Sequence, residues 1–448
     1  MSAPAVLDKT RGRTETTAEP GGPTVNTLTR HARSTALAVA GTLLAALAVG
    51  AATPAVAAGA DRPAASATAL PPIDRDAVRQ AIGDLPNADV TGAFVRVTGS
   101  AGRYETSAGL GDAATGSAPD PEGRFRIGSI SKVFTAAVVL QLAGEHRIDL
   151  DGTVQQYLPG VLPADLPPVT VGQLLDHTSG LPGGGKLNDS DGSTAWFAAH
   201  RFDSWTPQQV VASLAGQPMS FPPGTAQQYN GINYYLAGLL IEKTTGHSYA
   251  DEVQRRLIRP LHLRDTAVPD RDDPRLAHPA SHGYLTVHDP DGTTHPVDVT
   301  EQSPWPWAEG GLISSAPDLD RFLGALLQGR LLPAAEQQRL FDVPDVPNQQ
   351  NSHCTTGPTA GRACMSMGLE RVDINGVTLW GKTGSRPGYV SGVFATRDLG
   401  RRIVYSLNPT GFDGAESRYI LRLAQAVFPA APAAPAAPAA GTGRGSGS

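Results

Sequence analysis

Between Ser129 and Ala143 the sequence reads SISKVFTAAVVLQLA. After Lys132 every residue is apolar or small except Thr135 and Gln141. A helix of this composition is apolar all round, so it has to be packed on nearly every side. The run nonetheless opens on a serine, with a lysine three residues further on. Residues at i and i+3 share a helix face, so the Ser129 hydroxyl and the Lys132 amine project into one cleft. A helix beginning at Ser129 adds partial positive charge and free N–H groups there. Burial disfavours the charged form of a lysine and lowers its pKa. A neutral amine beside a serine is a base for that serine. Taken alone, S-x-x-K recurs by chance, and a first-turn lysine also snorkels to the surface.

The chain has 448 residues and a formal net charge of −6. That length allows one large domain or two ordinary ones. Without a basic block, the mildly acidic balance argues against nucleic-acid binding. Lysines are scarce: Lys9, Lys132, Lys186, Lys243 and Lys382 stand against a large excess of arginine. Arginine, alanine, glycine and proline excess suggests a GC-rich bacterial genome, which makes each lysine more informative. Lysine is the cation whose pKa moves on burial.

Residues 1–57 are expected to be a secretory signal. Arg30 and Arg33 precede an apolar stretch from Ala36 to Ala52, and Ala55-Val56-Ala57 offers a small-residue cleavage site. A membrane anchor is the alternative, but the stretch is short, alanine-rich and broken by Gly41 and Gly50. No other segment is apolar and long enough to span a membrane, so the mature chain is expected outside the cytoplasm. Residues 58–74 read as a disordered linker and 429–448, rich in Pro, Ala and Gly, as a disordered tail. Cys354 and Cys364, an even pair in an exported chain, read as a disulfide closing a short loop.

The folded part is therefore expected over 75–428. Alternation from Ala93 to Thr98, then a glycine-containing turn, reads as a strand hairpin. GYVSGVFATRDLGRRIVYSLN reads as two further strands, and AESRYILRLAQAVF as a terminal helix with Ile420, Leu423 and Val427 inward. Strands at both ends suggest one antiparallel sheet built from both termini, an α+β fold. The stretch from about 150 to 300 reads as an inserted, mostly helical lobe. Its segments TVGQLLDHTSG, TPQQVVASLAG, GINYYLAGLLIEKTTG and SYADEVQRRLIRPL are helix-like. APDLDRFLGALLQG returns the chain as an amphipathic helix.

Two more stretches join Ser129 and Lys132. Tyr229 lies on a loop before a helix, and Lys382-Thr383-Gly384 heads a strand. S-x-x-K with a downstream K-T-G is the serine–lysine acyl-transfer signature. FRIGSISKVFTA, VTVGQLLDHTSGLP, FPPGTAQQYNGINYYLAGLLIEKTTG and EGGLISSAPDLDRFLGALLQG carry a wider resemblance. Over about 75–428 the chain resembles the class C β-lactamase and D-alanyl-D-alanine carboxypeptidase group of serine hydrolases. The resemblance implies a two-lobed β-lactamase/transpeptidase-like fold with its site between the lobes. It implies Ser129 as nucleophile, Lys132 as its base and Tyr229 as proton shuttle. Lys382 and Thr383, with Gly384 and Ser385, would hold the substrate carboxylate, and Lys382 would bias the Tyr229 pKa downward. The N–H groups of Ser129 and Ser385 would form the oxyanion hole. No cofactor and no metal is implied.

One position departs from that pattern. The family's tyrosine motif is Tyr-x-Asn, whereas here it is Tyr229-Asn230-Gly231. The missing asparagine ordinarily bonds the substrate amide. Asn230 or Asn233 is the candidate replacement, and loss of the contact favours esters. His177 in DHTSG is expected to be structural. His278 and His282 have a metal spacing on a helix, but Pro279 argues against one there. Trp305, Trp307 and Glu309 are expected either to line the cleft or to pack beside it. Ser129 is not in G-x-S-x-G, and Lys186 is in no phosphate-binding loop. The expected substrate is a D-alanyl-D-alanine peptide, with a β-lactam or an ester as alternative. A silent binder of peptidoglycan is the reading that the intact residue set opposes.

Overall fold

The computed structural model describes residues 70–100, 102–349, 354–355 and 359–430. The expected secretory leader, most of the linker and the Pro/Ala/Gly tail from 431 lie outside the described residues. The end of the linker differs from expectation. Leu70 and Ile73 pack against the sheet's apolar cluster, the Arg401 guanidinium donates to the Pro71 carbonyl, and Asp74 caps the helix Arg75–Ala81. Apolar residues with a surface to cover are ordered, so residues 70–74 belong to the fold rather than to a linker.

The strands are β1 (Val90–Gly99), β2 (Tyr104–Gly109), β3 (Arg124–Arg126), β4 (Tyr284–His288) and β5 (Thr294–Asp298). They continue with β6 (Ile313–Ser315), β7 (Glu370–Ile374), β8 (Val377–Arg386), β9 (Tyr389–Thr396) and β10 (Arg401–Pro409). An antiparallel sheet runs in the order β2-β1-β10-β9-β8-β7. The first strand therefore pairs with the last, Val95 opposite Tyr405. Side chains alternate across β1. Phe94 joins the cluster around the Ser131–Gly144 helix. Val95 and Val97 face the other way, onto the cluster of Tyr419, Ile420 and Leu423 from the helix Ser417–Val427. Both faces are covered, so β1 is buried almost throughout despite being antiparallel.

The helix Ser131–Gly144 is enclosed as its composition demands: of its residues, Gln141 and Gly144 alone are not buried. Phe134 stacks on Phe322 of the helix Ala316–Leu327, with ring centroids 3.7 Å apart. Thr135 satisfies its hydroxyl on the Ala308 carbonyl at 2.7 Å, and Gln141 reaches the Leu331 carbonyl at 3.1 Å. The helix starts two residues later than the sequence suggests. Ser129 lies in a tight turn, Gly128–Ile130, that leads into it.

The intervening residues supply the helices Val171–Leu175, Pro207–Ala212, Ile232–Thr245 and Tyr249–Val253. Thr170 with Gln173 and Thr206 with Gln209 form reciprocal capping boxes, which fixes two of these starts. The hairpin β4–β5 within this stretch was not foreseen, because Asp289-Pro290-Asp291-Gly292 reads as turn without showing which flanks pair. Cys354 and Cys364 are bonded, with Cα atoms 5.4 Å apart. Among the described residues no helix is long and apolar enough to cross a membrane.

A corner after the Val171–Leu175 helix carries a half-buried acid. Asp176 accepts from the Thr178 N–H at 3.0 Å and its hydroxyl at 2.7 Å. Desolvation still outweighs these bonds and pushes its pKa up to about 6. A carboxyl raised in the folded state stabilises the fold when protonated. That contribution is full below about pH 4 and is lost as pH rises through about 6.

Two outcomes are expected from urea unfolding. Phe134→Ala should cost about 3–5 kcal/mol, the range for removing a fully enclosed aromatic ring. Asp176→Asn keeps the acceptor oxygen and removes the ionisation. Its stability relative to wild type should be greater near neutral pH than near pH 4, by about 2–3 kcal/mol. A pH-independent difference would contradict the desolvated carboxylate.

Candidate active site

The Ser129 turn is pressed against β8. Gly128 has φ +49°, and a Cβ there would lie 2.5 Å from the Ser385 nitrogen and oxygen. Across the same contact, a Cβ on Gly384 would lie 1.9 Å from the Ile127 carbonyl oxygen. The two glycines let strand and turn approach at backbone distance, which brings Ser385 beside Ser129.

Lys132, in the first turn of the enclosed helix, extends its amine back to Ser129. Nζ lies 3.1 Å from Ser129 Oγ. It also donates to the Glu309 carbonyl at 2.7 Å and to the Glu309 carboxylate. The Lys132 side chain is 1% exposed and that of Glu309 is 22% exposed. Burial lowers the Lys132 pKa and the Glu309 carboxylate opposes the shift, with burial the larger effect.

Tyr229 approaches from the other side. Its hydroxyl donates to Ser129 Oγ at 2.6 Å. Burial raises its pKa strongly, and the nearby Lys382 works in the opposite direction, as anticipated, without reversing the shift. The phenol is therefore protonated at neutral pH. Ser129 Oγ thus sits between an amine depressed toward neutrality and a phenol holding its proton.

The Tyr229 loop is fixed by a residue the sequence reading missed. Gln227 is fully buried. Its amide nitrogen donates to the carbonyls of Asp176 and Met365, each at 2.7 Å. Its oxygen accepts from the N–H groups of Cys364 and Met365, each at 3.0 Å. One side chain ties the tyrosine loop, the Asp176 corner and the disulfide segment together. Nothing in the sequence marks it, because its partners are backbone atoms more than fifty residues away.

Asn230 does not fill the place of the missing asparagine. Its amide nitrogen donates to the carbonyls of Leu181 and Pro182, and its oxygen accepts from the Ile232 N–H. Those atoms hold the loop. Asn233 is buried as well, bonded to Ser179 and to His177. His177 accepts from the Asn230 N–H at 3.2 Å and packs 4.7 Å from the Tyr229 ring, a structural role. Trp307, partly buried, packs against Tyr249, and Trp305 packs against Trp205 and Tyr235, while Glu309 contacts Lys132.

Lys382, on β8, is almost fully buried. Nζ is 3.3 Å from the Thr383 hydroxyl and 5.0 Å from the Tyr229 ring centroid. It also pairs with the buried Glu370 at 3.4 Å. Arg386, at the end of the same strand, donates to the Ser303 carbonyl. Burial lowers its pKa to about 10, which leaves it cationic at neutral pH. No group of His, Cys, Asp and Glu that could hold a metal occurs among the described residues.

This geometry has known counterparts. The chain is 28% identical to Penicillin-binding protein 4 of Amycolatopsis lactamdurans over 306 residues, 67% of this chain and 76% of the relative. It is 28% identical to Esterase EstB of Burkholderia gladioli over 349 residues, 72% of this chain and 87% of the relative. A solved structure of a D-stereospecific amidohydrolase from Streptomyces sp. superposes with a TM-score of 0.67 at 33% identity. That match covers 79% of this chain and 98% of the amidohydrolase. The family model described as Beta-lactamase matches residues 77–426, and the chain belongs to this β-lactamase family of serine hydrolases.

Proposed function

We propose that the protein hydrolyses amide bonds whose acyl donor is a D-amino acyl group, through a covalent acyl-enzyme on Ser129. One observation carries this reading: Ser129 Oγ lies 3.1 Å from a desolvated amine and 2.6 Å from a protonated phenol. Oγ attacks the substrate carbonyl carbon while neutral Lys132 takes its proton. The oxyanion is stabilised by the N–H groups of Ser129 and Ser385. Tyr229 gives its phenolic proton to the leaving nitrogen as the C–N bond breaks. The proton gained by Lys132 replaces the one Tyr229 has lost. Water then attacks the ester, its proton passes to the Lys132–Tyr229 pair, and Ser129 Oγ leaves reprotonated.

The likeness to a D-stereospecific amidohydrolase and to a penicillin-binding protein supports the D-amino acyl donor. Hydrolysis of D-alanyl-D-alanine peptides by a carboxypeptidase is one member of this class. Against restricting it to that member, Glu370 already pairs with Lys382. The lysine thus offers a terminal carboxylate less unopposed charge. Ester hydrolysis is a second reading, favoured by Gly231 and by the likeness to an esterase. From the leader expected over 1–57 we propose that the chemistry takes place outside the cytoplasm, on the side of the cell wall.

The test is stereochemical. With D-alanine and L-alanine p-nitroanilides, kcat/KM is expected to favour the D-enantiomer by about tenfold or more. Equal rates, or preference for L, would overturn the D-amino acyl assignment. Hydrolysis of p-nitrophenyl esters without any amide turnover would establish the ester reading instead.

A further inference from the structure

Glu309 is a carboxylate at the reaction centre that the acyl transfer above does not use. Three features set it apart. It is the cleft-facing half of its ion pair, 22% exposed against 1% for Lys132. Its Oε2 holds Lys132, while among the described residues no side chain or backbone group donates a hydrogen bond to Oε1. It also packs against Gly231. A Cβ on Gly231 would lie 3.3 Å from the Glu309 carboxyl carbon and 3.5 Å from each carboxylate oxygen. A side chain at 231 would therefore start in contact with the carboxylate.

The position relative to the nucleophile is informative. The carboxylate is two contacts from Ser129 Oγ, through Lys132 Nζ. In an aminoacyl substrate the amino nitrogen is about 2.5 Å from the carbonyl carbon that Oγ attacks, by standard backbone dimensions. An α-ammonium group on the acyl donor is therefore within reach of a carboxylate placed there. An N-acylated residue offers a neutral amide at that point, which covers one carboxylate oxygen without supplying a positive charge. Covering an ionised oxygen without a cation is costly.

We propose that Glu309 recognises a free amino group on the acyl donor, so that the site selects amino-terminal residues over N-acylated ones. The proposal rests on the acyl-enzyme reading for Ser129. An ammonium bound to Glu309 also competes with Lys132 for the same carboxylate. The cationic substrate thus loosens the contact that holds a proton on the base, and acylation is favoured for the substrate that fits. Neutral or anionic acyl donors leave the Lys132–Glu309 pair closed.

The test uses the full chain and two substrate pairs: D-phenylalanine amide against its N-acetyl form, and D-phenylalanine methyl ester against its N-acetyl form. Wild type is expected to favour the free amine by about tenfold or more in kcat/KM. In Glu309→Gln that ratio should fall toward one, with the loss concentrated in KM for the free amine. Reading a ratio within each variant cancels any general loss of rate from disturbing Lys132. Gly231→Asn, which brings a neutral side chain against the carboxylate, should lower the ratio too and decides the matter if Glu309→Gln does not fold. A wild-type ratio near one, or a ratio unchanged in the folded variants, overturns the proposal. If the esters turn over and the amides do not, the amide reading fails while the ester pair still decides the role of Glu309. No turnover of all four compounds overturns both.

Discussion

The arrangement depends on a lysine amine enclosed in the protein interior. Lys132 has almost no contact with solvent, and an isolated ammonium there would be prohibitively costly. The chain meets this in two ways at once. Desolvation moves the amine toward its neutral form, and the Glu309 backbone and side chain compensate whatever charge remains. Neither is complete, and that balance suits a group that must accept a proton and then release it. Everything packed around the Ser131–Gly144 helix serves to keep water from the amine while leaving the Ser129 hydroxyl at the cleft.

The fold brings distant pieces of chain to that helix. Its start rests on β8 through glycines that permit backbone contact. Its flank meets the short helix Trp307–Gly310, which delivers Glu309. The tyrosine arrives on a loop braced by Gln227, whose four hydrogen bonds reach the Asp176 corner and the segment closed by the disulfide. In the sheet the first strand pairs with the last, and β8, which carries Lys382 and Thr383, is held between its neighbours β7 and β9. The site is thus a meeting of four segments, each rigid for its own reason, which preorganises it before substrate arrives.

Much of this was legible in the sequence where the signal is local. An apolar helix with one lysine can be read from composition, and the alternation of Ala93 to Thr98 gives a strand, though not that both its faces are covered. Ser129, Lys132, Tyr229 and Lys382 were recognisable because their motifs are short and their family resemblance is specific. What escaped was what depends on direction. Asn230 and Asn233 look equivalent on paper, yet both amides turn into the scaffold. Gln227 is invisible because it bonds backbone. Glu309 was seen as a cleft candidate, but its pairing with Lys132 joins residues 177 positions apart, and its packing against Gly231 is a matter of a few ångströms.

The central claim is that a covalent intermediate forms on Ser129. The most direct measurement is intact-mass spectrometry of the protein, acid-quenched shortly after mixing with a p-nitrophenyl ester, followed by peptide mapping. The account predicts a mass gain of one acyl group, located on Ser129 and absent from Ser129→Ala. Turnover that persists undiminished in Ser129→Ala, or an acyl group located on another residue, would contradict it.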